Sequence, residues 1–94
     1  MWKEALMKED NFEEWLHFFM LDNDLSPNNV IYEGIVKGKM FHMTYRELFD
    51  KIRPYEGMRK RLREDFCAAS YTGESIDRAA EKIVEEELIA NDLI

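Results

Sequence analysis

Glu14 and His17 stand three residues apart, the spacing at which two side chains on one helix face can share a metal ion. Carboxylate-bridged centres of that kind need a second such pair and further carboxylates facing the same space. The only other histidine, His42, lies in a stretch of different character. The Glu14–His17 pair therefore reads as the polar edge of an apolar face, and no metal is expected.

Cys67 is the single cysteine. A thiol nucleophile needs a base within hydrogen-bond reach. Cys67 stands between Phe66 and Ala68 and reads instead as a small buried side chain. Gly34, Gly38, Gly57 and Gly73 are isolated, so there is no glycine-rich phosphate loop. Among 20 Asp/Glu residues, a nearby carboxylate pair says little about acid–base chemistry. The expectation is a non-enzymatic protein with no cofactor.

The remaining chemistry is charge, and it is laid out in blocks. Residues 1–36 hold two Lys/Arg against eight Asp/Glu, residues 37–63 nine against three, and residues 64–94 two against nine, for a net charge of −7. A basic centre thus sits between two acidic flanks. The blocks can neutralise one another within the fold, or one can face a partner of opposite sign. Arg59, Lys60 and Arg63 are the basic candidates for partner contact, and Glu85 and Glu86 the acidic ones. Trp15 and Phe18 join them, because aromatics and methionines make adaptable contact surfaces.

These groups need elements to carry them. Asn11, with Glu14 three residues on, is expected to start a first helix whose inner face holds Phe12, Trp15, Leu16 and Phe19. Trp2, Ala5 and Leu6 could add a turn before it. Phe18, Met20 and Leu21 widen the apolar face beyond a normal stripe, which points to burial nearly all round. Val30 to Met43 is rich in β-branched and aromatic residues and is broken at Lys37-Gly38, the pattern of a β-hairpin with strands near 30–36 and 39–43.

Thr44-Tyr45-Arg46-Glu47 is a capping box opening a second helix, with Tyr45, Leu48, Phe49 and Ile52 inward. Arg46–Asp50 and Glu47–Lys51 are candidate ion pairs on its wet side. Pro54 separates it from a third helix near 55–70, with Tyr55, Met58, Leu62, Phe66 and Ala69 inside and Arg59, Lys60, Arg61 and Arg63 outside. Ser75 is expected to cap a last helix.

The predicted fold is α+β and mostly helical, in the order helix, β-hairpin, helix, helix, helix. It forms one globular domain over residues 1–94 with one modest core. No run of apolar residues is long enough for a membrane span, and the acidic N-terminus is not a secretory signal. The opening methionine fits a complete small protein. A lone cysteine fits a reducing compartment, most simply the cytoplasm.

Two functional expectations follow. The first is a small acidic protein-binding module: an adaptor, regulator or inhibitor whose partner is another protein, with a homodimer also compatible. The alternative is a DNA-binding transcriptional regulator using residues 44–63, whose outline is that of a helix-turn-helix. Phe49 stands where such a unit usually has a small residue, and Arg53-Pro54-Tyr55 replaces a glycine turn. The segment's positive charge must also act against acidic flanks that repel phosphate.

Overall fold

The computed structural model describes the backbone of residues 2–94 and the side chains from residue 12 onward. Its elements are α1 (Trp2–Asp22), β1 (Val30–Val36), β2 (Lys39–Thr44), α2 (Tyr45–Ile52), α3 (Glu56–Thr72) and α4 (Ile76–Ile83), which runs on as a π-helix over Val84–Ile89. The expected order of helix, hairpin and three helical segments is the observed one. The first helix does not start at Asn11, however. It runs unbroken through that position from Trp2, so Asn11 is an interior residue and no cap.

The hairpin forms where the sequence breaks. Val36 pairs with Lys39 across the two-residue turn Lys37-Gly38, with φ of 53° and 80°. Positive φ at both central residues is the turn geometry that matches the twist of the strands. Gly38 takes it without strain, whereas Lys37 does so at a cost. The register shifts between Val30 and Tyr32. This irregularity accompanies burial of Ile31 between two less buried neighbours.

No loop separates the hairpin from α2. Thr44 is both the last residue of β2 and the N-cap of α2. Its hydroxyl accepts from the Glu47 amide at 3.3 Å, and its own amide donates to Glu47 Oε1 at 2.9 Å, so the capping box is complete. Glu47 is therefore turned toward its own helix start. Asp50 accepts from Arg53 Nη1 at 2.6 Å. The structure thus engages both acids otherwise than in the expected pairs with Lys51 and Arg46.

Helix α3 ends at Gly73, which holds φ 80° and donates to the Ala69 carbonyl. Ser75 then caps α4 by accepting from the Arg78 amide at 3.3 Å. In the π-helical segment the Ala90 amide reaches the Glu85 carbonyl, five residues back, at 3.2 Å. Nothing in the sequence pattern announced it.

Phe66 on α3 is fully buried at the centre of the core. Its ring lies 5.6 Å from Phe19 of α1, 6.2 Å from Tyr45 and 6.4 Å from Phe49 of α2. Leu48, Ile52, Leu62, Ile83, Val84 and Leu88 fill the space around it. Rings at such separations stabilise by more than their buried area alone. This cluster fixes α1 against α3, the relationship on which the surface described below depends.

Three expectations about burial are corrected. Cys67 is exposed. The inward positions of α3 are Met58, Leu62, Phe66 and Ala69, and Cys67 instead continues the outer row four residues after Arg63. Phe18 and Leu21 are 56% and 63% exposed, so α1 is not buried all round. Tyr55, expected inside, is exposed at the N-cap of α3. Among the described helices none is long and apolar enough to cross a membrane.

Candidate functional site

The outer side of α1 carries a regular stripe. Glu14, Phe18 and Asp22 recur every four residues, so they lie in one row along the helix, and all three are exposed. Trp15 and Phe19, on the adjoining face, turn toward α3. Phe19 is buried and Trp15 half-buried, with ring centroids 5.1 Å apart. Arg63 of α3 lies over Trp15, its guanidinium carbon 5.3 Å from the ring centroid. Together Glu14, Trp15, Phe18, Phe19, Asp22 and Arg63 line a cleft of about 290 Å³ between α1 and α3.

The structure thus brings together three of the residues singled out from sequence: Trp15, Phe18 and Arg63. It does not join the others to them. Lys60 is exposed elsewhere on α3. Arg59 Nη1 donates to the Arg53 carbonyl, across the α2–α3 connection. Glu85 and Glu86 lie in the π-helical segment, and Glu86 is held by Arg61.

The charge blocks meet inside the molecule. Arg53 Nε donates to Glu13 Oε2 at 2.6 Å, tying the basic centre to the N-terminal block. That bond holds the Arg53 pKa above its ordinary value, with Asp50 adding to the effect. Arg61 reaches into the C-terminal block. Its Nη1 donates to Glu87 at 2.9 Å and its Nη2 to Glu86, while its Nε donates to Asp65 at 3.1 Å. Partial burial works against the Arg61 charge, but bonds to Glu87, Glu86 and Asp65 outweigh it and raise the pKa. The same contact lowers the pKa of Glu86. At the hairpin turn, Lys37 Nζ lies 2.6 Å from Asp92 Oδ1 and holds the Asp92 carboxyl below its usual range.

Among the described residues Tyr45 is the only buried one with a polar side-chain tip, and its hydroxyl donates to Asp77 at the start of α4. Burial pushes its phenol well up, and the Asp77 carboxylate pushes it further. This bond is a strut between α2 and α4.

His17 packs edge-on against Phe18, ring centroids 5.3 Å apart, and is exposed. Among the described residues no three His, Cys, Asp or Glu side chains are grouped so as to hold a metal ion. The stripe Glu14–Phe18–Asp22 was missed in the sequence, although it was there to be read. Both residues four positions from Phe18 are acidic, which places Phe18 on the wet side of its helix.

A comparison with family models found no match, and neither did comparisons with curated proteins and with solved structures.

Proposed function

We propose that the chain is a non-enzymatic protein-binding module, a small adaptor, regulator or inhibitor that works from the outer surface of α1. The observation that carries this reading is the exposure of Phe18 and Leu21, 56% and 63%, on a helix whose other face is committed to the core. Two large apolar side chains side by side in solvent, rimmed by Glu14 and Asp22, resemble the apolar centre and polar rim of a contact surface. A reducing, cytoplasmic setting suits a chain whose one thiol, Cys67, is exposed and unbridged.

The intramolecular use of the basic centre supports this reading over DNA binding by residues 44–63. Arg53 and Arg61 are engaged by acidic side chains from both flanks, and Arg63 is laid on Trp15. A groove-reading helix needs such side chains for phosphates and base edges.

The test has two arms. A photo-crosslinking residue at position 18, used in the native host, should trap a protein, and Phe18→Ala with Leu21→Ala should abolish capture of that protein by the full chain. In parallel, wild type and the Arg59→Ala/Lys60→Ala/Arg63→Ala variant are titrated with duplex DNA at two salt concentrations. Tight, salt-sensitive DNA binding by wild type that disappears in the variant would overturn the proposal.

A further inference from the structure

The occupant of the α1 surface can be specified further, and this step rests on the protein-binding reading above. We infer that the stripe Glu14–Phe18–Asp22 receives an extended, basic segment of a partner protein, in which a cationic, an apolar and a second cationic side chain alternate with residues pointing away.

Charge selects the sign. Glu14 and Asp22 bracket Phe18, and neither carboxylate has an ion-pair partner among the described residues. Among the described residues the one cation lining the same cleft, Arg63, is stacked on Trp15 and stands on the α3 side. The chain as a whole carries −7. A second copy docking here would bring like charge to like charge, whereas a basic partner is drawn in over the whole approach.

Spacing selects the shape. A helix rises about 1.5 Å per residue, so Glu14 and Phe18, and Phe18 and Asp22, are each separated by about 6 Å along α1. Alternate residues of an extended chain, which share one face, are about 6.6 Å apart. A segment of the form basic-x-apolar-x-basic therefore places its three same-face side chains opposite the three of the stripe. The apolar residue covers Phe18, the two cations meet Glu14 and Asp22, and the cations' aliphatic stems lie against Phe18 from either side.

Arg63 provides a test of sign. If the cleft takes a basic segment, the guanidinium on its α3 wall opposes binding. Its removal should then strengthen the interaction, the reverse of what an acidic peptide or a nucleic acid would show.

The probe is a fluorescent peptide of about ten residues with arginine–threonine–leucine–threonine–arginine at its centre, titrated against the full chain. One control peptide has the same composition with the two arginines adjacent; a second has glutamates in their place. A third places arginine, leucine and arginine four residues apart in a stable helix. The protein variants are Glu14→Gln/Asp22→Asn, Phe18→Ala, Arg63→Gln and, away from the cleft, Glu81→Gln/Glu85→Gln. Unchanged circular dichroism and urea midpoints establish that each is folded.

The first peptide should bind best. Glu14→Gln/Asp22→Asn should weaken it roughly two- to thirtyfold, the range for two exposed ion pairs. Phe18→Ala should weaken it by about tenfold, as for an anchoring aromatic. Arg63→Gln should tighten it, Glu81→Gln/Glu85→Gln should leave it unchanged, and raising salt from about 50 to about 500 mM should weaken it. Equal binding of the adjacent-arginine peptide, indifference to Glu14→Gln/Asp22→Asn, or stronger binding of the helical peptide would each overturn it. So would weaker binding by Arg63→Gln.

The two readings fail separately. A protein trapped at position 18 whose capture needs Phe18 but ignores Glu14, Asp22 and salt keeps the protein-binding function and removes the basic occupant. Loss of any Phe18-dependent capture removes both.

Discussion

Lys37 and Asp92 are joined by an ion pair of 2.6 Å, and both hold the left-handed backbone conformation, at φ 53° and 59°. One is the first turn residue of the hairpin. The other closes the C-terminal helical segment, where the Leu93 amide returns to the Leu88 carbonyl at 2.8 Å. The pair therefore ties two strained corners that are distant in sequence. Its side chains are largely exposed, so the backbone preference at each corner outweighs the ion pair itself.

That balance gives the first prediction. Lys37→Asn creates the Asn-Gly turn that this geometry favours and breaks the ion pair. The expected outcome is stability equal to wild type or higher by up to about 1 kcal/mol, read as a urea midpoint. Lys37→Val breaks the same ion pair and puts a β-branched residue at positive φ, and should lower stability by about 1–2 kcal/mol. If the two variants lose stability equally, the ion pair rather than the turn governs this corner.

Arg61 gathers Asp65, Glu86 and Glu87 with only 26% of its side chain exposed. Arg61→Met removes charge-assisted bonds and leaves three carboxylates facing one another. A loss of about 2–3 kcal/mol is expected. Arg61→Lys should recover less than half of it, because a point charge cannot serve three acceptors spread around a planar fork. Chemical denaturation of the three proteins measures this.

The pH dependence follows from the same contacts. Glu86 and Asp92 titrate below their ordinary values because Arg61 and Lys37 bond their charged forms. A carboxyl depressed in the folded state contributes stability that is present above its unfolded pKa and is lost as pH falls through its folded pKa. The denaturation midpoint should therefore drop as pH falls below the usual carboxylate range. In Glu86→Gln/Asp92→Asn that drop should be shallower.

Tyr45→Phe removes the bond to Asp77 while keeping the buried ring. Asp77 is exposed and can turn to water, so no buried group is orphaned. The expected cost is about 1 kcal/mol with an unchanged fold. A much larger loss, seen in thermal melts, would mean that the bond sets the position of α4.

Cys67→Ala should alter stability by no more than about 0.5 kcal/mol, as befits an exposed position. In the native protein the thiol should react with a maleimide at nearly the rate found in urea. Slow native labelling would contradict its placement on the outer row of α3.

The elements legible in the sequence were those set by local rules. Thr44 to Glu47 forms the capping box that the residue types announce, Lys37-Gly38 is the turn, and Ser75 is the cap. What was misread depends on phase. Phe18, with Met20 and Leu21, widens an apolar face and so reads as buried, and Cys67 reads as buried beside Phe66, yet both turn outward. A step of one residue turns a helix by about 100°, so the neighbours four away are the better guide. For Phe18 these are Glu14 and Asp22, and for Cys67 they are Arg63 and Tyr71. The π-helical stretch was not legible, because Val84 and Leu88 are spaced as in an ordinary helix and only the backbone bonds reveal the wider turn. The α1 surface needed both the outward phase of Phe18 and the packing of α1 on α3, and only the first lies in local sequence.

Thr44 ends β2 and caps α2 in a single residue, so strand and helix have no slack between them. The two behave as a screw and its thread. Inserting one residue between Phe41 and Thr44 would reverse which strand side chains face the core and, at the same stroke, rotate α2 by a quarter-turn or more. Tyr45, Leu48, Phe49 and Ile52 would leave their seats together, whereas an insertion in the 23–26 stretch, ahead of the Pro27 and Asn29 carbonyls that accept from the Arg46 and Tyr45 amides, would disturb neither strand register nor the phase of α2. Length variation in this protein should therefore be tolerated ahead of the hairpin and forbidden at its exit, and a library of single-residue insertions sorted for folded protein would show a sharp gap at 42–44.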